Sequence, residues 1–342
     1  MPDQPIVLTS PEHACDLVRS NSRLSIRGGG TKSGLWAPDA DAVQLDARGL
    51  TGIIEYEPDE YVFTARAGTP LREIIATLEK SGQYLPFDPL FVEQGGTLGG
   101  CIASGIAGPG RFRYGGVRDF IIGVRFIDGT GRVIKGGGKV VKNAAGFDFQ
   151  KLFVGSLGRL GLITEASFKV FPKPEATLVA AVNAPSLTEA VKIISTVAMK
   201  PFDLDAIEFV AGKVFIRIAG HEAALRSRLD TIIKTTAQKF ELVSGWPPIT
   251  GNIRIPLSLP QVAGLDAAVD APKHYSVGGN VAWIVWPSDR DDAALDESLK
   301  QLNLSALHLN GLRARLGMNA SASAERVVKQ ALDEDNKFGD LP

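Results

Sequence analysis

Three consecutive glycines, Gly28, Gly29 and Gly30, stand inside the segment RGGGTKSG at 27–34. Glycines in a row let the backbone turn sharply and present successive N–H groups outward, which makes a nest for phosphate oxygens. Thr31 and Ser33 can add hydroxyl donors, and Lys32 can screen the charge. The same glycines also suit a turn that holds no ligand. The spacing is neither the GxGxxG dinucleotide fingerprint nor a phosphate loop ending in GK[ST].

A second segment, GGTLGGCIASGIAGPGRFRYGG at 95–116, carries 9 glycines in 22 residues. It lacks aliphatic periodicity and predicts a long loop, costly to order unless something fills it. Ala103, Ser104 and Gly105 are small enough for close approach of a flat or phosphorylated ligand. Arg111, Arg113 and Arg118 bring positive charge to its end. They suit bidentate pairing with a substrate carboxylate, or a solvated face. A third cluster, Gly155, Gly158 and Gly161, precedes an alternating strand pattern at 162–171. It fits a tight backbone path beside a ligand, or a sharp entry into the strand.

These loops need elements to position them. Short strands are expected at 24–27, 43–46, 53–57 and 61–66, with helices at 10–20 and 70–80. Asp128-Gly129-Thr130-Gly131 predicts a hairpin between 120–128 and 132–136, and a short helical piece is expected at 148–154. Pro172 and Pro174 mark a domain boundary, giving domains at 1–172 and 173–342. Beyond it, strands at 177–183, 204–210, 213–219, 253–256, 273–277 and 281–286 mix with helices at 186–199, 221–238, 259–269, 289–301 and 322–333. That mixture predicts an α+β domain, a sheet with helices on one face. Of 37 glycines, 27 lie in residues 1–161, so the backbone demands sit in the first domain.

Composition excludes several classes. With 37 Lys+Arg against 38 Asp+Glu, the chain lacks the basic excess of a general nucleic-acid binder. The start, MPDQPIVLTSPEH, has no secretory pattern, and the uncharged run at 94–110 is too glycine-rich to span a membrane. Cys15 and Cys101 make no metal-ligand spacing and fit a reducing compartment, so a cytoplasmic location is expected.

Taken in order, these segments resemble the FAD-binding domain of the vanillyl-alcohol oxidase / p-cresol methylhydroxylase (PCMH-type) flavoproteins. The motifs are the strand with RGGGT, LPFDP at 85–89, GGTLGG at 95–100, RYGGVRD at 113–119, and KNAAGFDFQKLFVGS from Lys142 followed by GLITEA at 161–166. The likeness covers about residues 5–172. Within the family it points to the FAD-binding subunits of glycolate oxidases. It implies a PCMH-type domain of two subdomains, followed by an α+β cap with an antiparallel sheet and a C-terminal return segment.

The resemblance also implies roles. Gly28, Gly29, Gly30, Thr31 and Gly34 would bind the pyrophosphate. Pro86 and Phe87 would lie near the flavin. Gly96, Thr97, Gly99, Gly100, Ser104 and Gly105 would line the second phosphate and the isoalloxazine. Tyr114 and Gly115 would close that loop, and Gly161 and Ile163 would touch cofactor edges. Members that attach FAD covalently often have His in the first loop; here Thr31 and Lys32 follow the glycines, so non-covalent FAD is predicted. Cys101 is read as a buried small residue. The metal-binding patterns HxGDGN and EHG of the larger 2-hydroxyacid dehydrogenases are missing, so no metal is expected. His13, His221, His274 and His308 are expected to be structural or exposed, and no second-domain base stands out. The C-terminal run VKQALDEDNKFGDLP is similar to the family's closing segment, but Glu334 and Gly339 replace its usual Pro and second Asn. That leaves Asn336 without an assigned flavin contact.

The function implied is an FAD-binding subunit of a glycolate (2-hydroxyacid) oxidase. Its flavin would accept hydride and pass electrons to a larger flavoprotein subunit and an iron–sulfur subunit. Any membrane association would come through those partners. A self-sufficient alcohol or sugar oxidoreductase of the same fold, and a non-catalytic flavoprotein scaffold, are the alternatives. A cell-wall reductase of related fold is disfavoured, because no serine and glutamate relay is evident.

Overall fold

The computed structural model describes residues 4–36, 41–138 and 148–342. The chain divides into two compact units. The first comprises 1–107, 115–173 and 320–342, and the second 108–114 and 174–319. The sequence suggested one break near Pro172. The structure instead returns residues 320–342 to the first unit and assigns 108–114 to the second. The beginning of the KNAAGFD motif, at 142–147, lies outside the described residues.

In the first unit, β1 (Ile6–Val7), β2 (Leu24–Arg27) and β3 (Val43–Asp46) form a parallel sheet in the order β1-β3-β2. The helix Pro11–Ser20 packs its Ala14, Cys15 and Val18 into the same core as Leu24 and Leu45. Ser10 starts it, with its hydroxyl accepting from the His13 amide at 3.2 Å and Pro11 in the first turn. An antiparallel sheet of five strands runs β4-β5-β9-β7-β8. It is built from β4 (Ile53–Glu57), β5 (Val62–Arg66), β7 (Ile121–Ile127), β8 (Val133–Gly137) and β9 (Leu162–Lys169). The β7–β8 hairpin closes where the Asp128 carboxylate accepts from the Thr130 and Arg132 amides, at 2.9 and 3.0 Å. A small pair, β6 (Gln83–Tyr84) with β10 (Phe171–Pro172), completes the strands of this unit.

The C-terminal helix Ala322–Leu332 belongs to this unit. After it, the buried Asp333 carboxylate accepts from the amides of Lys337 and Phe338 at 2.9 Å each and pairs with Lys329. The Lys337 carbonyl accepts from the Leu24 amide, and Phe338 is 1% exposed in the Leu8–Leu45 core.

The second unit is one nine-stranded sheet, β14-β11-β13-β12-β16-β17-β15-β18-β19. Its strands are β11 (Ala176–Asn183), β12 (Ala206–Val210), β13 (Lys213–Gly220), β14 (Glu241–Leu242), β15 (Ile253–Pro256), β16 (Lys273–Ser276), β17 (Val281–Ile284), β18 (Ser305–His308) and β19 (Arg315–Gly317). All neighbours pair antiparallel. The helices Leu187–Ala198, Glu222–Thr236, Val262–Ala268 and Ala293–Gln301 pack on one face, through cores that contain Ile207, Ile216, Ile253, Tyr275 and Ile284. The architecture is α+β, as the sequence suggested.

One expectation fails. The 95–116 run is not an open loop. It contains the helix Leu98–Ser104 and the short helix Arg111–Tyr114, and a further short helix, Val117–Phe120, follows it directly. Two devices overcome the low helix propensity of Gly99 and Gly100. Thr97 caps the start, its hydroxyl accepting from the Gly100 amide at 3.2 Å. Gly105 closes the end at φ 64°, in the left-handed conformation that glycine adopts without strain.

Candidate functional site

The first glycine segment leaves β2 at Arg27 and passes directly against the second. A Cβ on Gly28 would come 2.7 Å from Thr97 Oγ1, and one on Gly29 would overlap the Gly95 carbonyl oxygen. Only glycine lets the two backbones lie this close. Together they wall a cleft of about 790 Å³, part of it open to solvent. Gly28, Gly29, Gly30 and Thr31 line it from the first segment, and Thr97, Gly99, Gly100 and Ser104 from the second. Gly161 and Ile163 line it where β9 begins.

The other residues expected at the cofactor do not line this cleft. Gly34 is buried in a 3₁₀ turn at Ser33–Leu35. Gly96 bonds through its backbone to Phe91 and Leu71. Pro86 is buried, and Phe87 is 0% exposed, its ring centroid 5.4 Å from that of Phe120 and 6.4 Å from that of Phe168. Phe87 therefore serves the aromatic core. Gly105 terminates a helix, and Gly115 turns at φ 84° beside Asp119. Tyr114 belongs to the second unit, where its hydroxyl lies 3.2 Å from Asp205 Oδ1.

Several lining residues were not assigned a cofactor role from the sequence, among them Arg27, Leu35, Trp36, Ala47, Ala67 and Leu157. They come from strand ends and turns whose types carry no local signal. Two matter chemically. Among the described residues, Arg27 Nε and Trp36 Nε1 are buried donors without a hydrogen-bond partner, and the guanidinium stands 5.5 Å from the Trp36 ring centroid. Lys32 adds a partly buried ammonium, 3.0 Å from Thr31 Oγ1 and 4.7 Å from the Phe91 ring centroid. Burial pushes its pKa down, and Cys101 offsets part of that. Burial also pushes the Cys101 thiol up to about 12, with Lys32 opposing, so at neutral pH it is a thiol and not a nucleophilic thiolate. The cleft is rich in donors and positive charge. That is the complement of a pyrophosphate, so these residues fit FAD.

The three arginines have different surroundings. Arg113 pairs with Asp203 at 2.9 Å and Asp205 at 3.5 Å. Arg118 donates to the Lys151 carbonyl at 3.1 Å. Arg111 is exposed, and its charge acts on Arg254.

Arg254 belongs to a row the sequence reading missed. On the face of the second unit's sheet opposite the Ile253–Ile284 core, register places Arg254 opposite Trp283, and Trp283 opposite His274. Ser276 lies two residues along from His274, and Glu208 is on the neighbouring strand β12. His274 Nε2 is 2.9 Å from Glu208 Oε2, and the Ser276 hydroxyl donates to Glu208 Oε1. Glu208, His274, Ser276 and Arg254 are all under 9% exposed. Burial, then the Arg111 charge, push Arg254 down to about 10. The sequence showed no serine–glutamate relay; the structure contains the pair Ser276–Glu208, brought together by strand pairing across distant segments.

The remaining histidines have ordinary partners: His13 with Thr9, His221 with Glu175, and His308 with Asp292. Among the described residues no group of three or more His, Cys, Asp or Glu is placed to hold a metal ion.

Residues 5–137 match the family model described as "FAD binding domain". The glycolate oxidase subunit GlcE of Escherichia coli (strain K12) is 39% identical over 216 residues, 63% of this chain and 61% of that protein. The D-lactate dehydrogenase of Archaeoglobus fulgidus is 31% identical over 198 residues, 57% of this chain and 44% of that protein. The chain thus spans less than two thirds of the length of these relatives. The crystal structure of p-cresol methylhydroxylase with substrate bound superimposes with a TM-score of 0.74 at 12% identity, covering 99% of this chain and 89% of that one. No helix among the described residues is long and apolar enough to cross a membrane. Residues 5–137 thus match an FAD-binding domain, the fold is that of p-cresol methylhydroxylase, and the cofactor is FAD.

Proposed function

We propose that this chain is the FAD-binding subunit of a 2-hydroxyacid oxidoreductase of the glycolate oxidase kind, working with partner subunits. The donor-rich cleft at Gly28–Lys32 carries the reading. The names of the relatives, a glycolate oxidase subunit and a D-lactate dehydrogenase, supply the substrate class. When bound, FAD supplies hydride acceptance and onward electron transfer.

The chain's own residues bind and orient the cofactor. The backbones of Gly28, Gly29 and Gly30 and the unpartnered Arg27 and Trp36 donors meet the pyrophosphate, and Lys32 balances its charge. Attachment is non-covalent in this reading, because Thr31 and Lys32 line the cleft where covalent members often carry His, and Cys101 is buried outside its lining with its thiol pushed up to about 12. An iron–sulfur cluster typically takes four cysteines and the chain has 2, so onward transfer runs through a larger flavoprotein subunit and an iron–sulfur subunit. A cytoplasmic location, with any membrane association made by those partners, goes with this reading.

The test is an absorption spectrum of the purified chain, then acid precipitation, then anaerobic glycolate or D-lactate. Flavin bands released to the supernatant, and bleached by a 2-hydroxyacid once partners are restored, are expected. A colourless protein that takes up no added FAD, or a yellow pellet, overturns the corresponding part.

A further inference from the structure

We propose that the sheet of the second unit carries a binding site for a small 2-hydroxycarboxylate, in which His274, oriented by Glu208, takes the hydroxyl and Arg254 takes the carboxylate. The inference deepens the 2-hydroxyacid reading above and rests on it for the substrate class.

Strand alternation gives the first argument. Ile253, Ile255, Tyr275, Ala282 and Ile284 share one core on the helical face, so Arg254, His274, Ser276 and Trp283 point to the other face. Arg254 and His274 flank Trp283 across two strand spacings, about 10 Å between backbones. Their side chains are long enough to approach the two ends of a two- or three-carbon acid, with the indole as an apolar wall.

Hydrogen-bond bookkeeping gives the second. An ionised Glu208 only accepts. One of its oxygens takes the Ser276 hydroxyl, and the other takes the proton on His274 Nε2. His274 Nδ1 then carries a lone pair, and it is buried with no partner among the described residues. What it lacks is a donor such as an α-hydroxyl. Arg254 presents the opposite deficit. Among the described residues its Nε is a buried donor without a partner, and the only charge acting on it is that of Arg111, with no carboxylate. The neighbouring Arg111 adds further positive charge. Buried polar groups in a purely structural network are normally satisfied. Here a missing donor and a missing anion occur in one row, and a hydroxycarboxylate supplies both.

Calorimetric titration of the full chain with sodium glycolate and with sodium acetate tests the site by binding alone. Glycolate is expected to bind about tenfold more tightly than acetate, the difference being one hydrogen bond to a buried acceptor. His274→Asn should erase that preference while keeping acetate affinity. Arg254→Gln should weaken both ligands about tenfold or more. Because Arg254 is buried, Arg111→Gln provides an exposed second variant, expected to weaken both ligands several-fold with an unchanged melting temperature. Equal binding of glycolate and acetate by the parent chain overturns the inference, as does full glycolate affinity in a folded Arg254→Gln chain. FAD content is read in the same samples. A yellow chain with no glycolate preference refutes this site and leaves the flavin reading standing; a colourless chain that prefers glycolate supports the site and removes that reading.

Discussion

Gly29 lies against Gly95 so closely that a Cβ on Gly29 would overlap the Gly95 carbonyl oxygen. This contact joins the two glycine segments into one wall of the cleft proposed to hold the flavin. Gly29→Ala must push backbone against backbone, which costs about 1–3 kcal/mol. The purified variant is expected to hold about tenfold less flavin per chain, measured by absorbance against protein. Gly82→Ala is the control, with nothing within 4 Å of its Cβ; its strain at φ 63° costs stability without touching the cleft.

Lys32 gives a prediction with two signs. Burial lowers its pKa, so a charged Lys32 disfavours the folded state of the apo chain. The unfolded chain holds that proton more tightly, so apo stability should rise with pH from the lowered value up to about 10.4. Lys32→Met should remove this alkaline rise and stabilise the apo chain near neutral pH. It should also weaken FAD binding, because the cleft loses the ammonium that lines it. Urea melts of the apo variant and an FAD titration read the two effects separately.

Phe87 tests core against cofactor. Its ring packs among Phe120 and Phe168. Phe87→Ala should cost about 3–5 kcal/mol of stability by leaving a cavity. Flavin affinity in the folded fraction should stay within about twofold, since Phe87 does not line the cleft. Denaturant unfolding combined with FAD titration of the folded protein separates the outcomes.

Asp296 predicts acid sensitivity. Burial opposes its charge, yet Lys300 at 2.8 Å, the Gly317 amide at 2.7 Å and Arg313 at 3.2 Å hold its pKa down to about 2. A depressed carboxylate stabilises above its unfolded value of about 3.9, and that support is lost as pH falls through about 2. Asp296→Asn should cost about 1–3 kcal/mol at pH 7, and the gap to the parent should shrink as pH drops below about 4. Paired urea melts from pH 7 to pH 3 provide the check.

The glycine-walled cleft was legible because its backbone requirements are local. RGGGT and GGTLGG require glycine at fixed places, and the Thr97 cap and the Asp128 turn follow rules that span a few residues. The helix Leu98–Ser104 was hidden because glycine count masks a helix whose stability comes from its cap, its stop and its burial. The packing of Phe87 against Phe120 and Phe168 could not be read from its motif, because a motif position does not say which way a ring points. The Arg254–Trp283–His274 row was invisible for a different reason. Its members come from three strands whose adjacency is set by sheet register, and each alone looks like an ordinary strand residue. The β18 and β19 strands were missed because they are short, four and three residues, and their pairing overrides weak local preference.

The anchoring of Phe338 and Lys337 on the Leu24 strand has a bearing on biogenesis. Residues 174–319, the bulk of the second unit, are synthesised before 333–338 leave the ribosome. Until then the Leu24 amide lacks the Lys337 carbonyl, and the core around Leu8 and Leu45 lacks its phenyl ring. The nucleotide-binding half of the chain therefore finishes folding after its companion has been made. Nascent chains stalled before Asp333 should remain protease-sensitive around β2 and β3, and acquisition of the flavin becomes a late event in the protein's maturation.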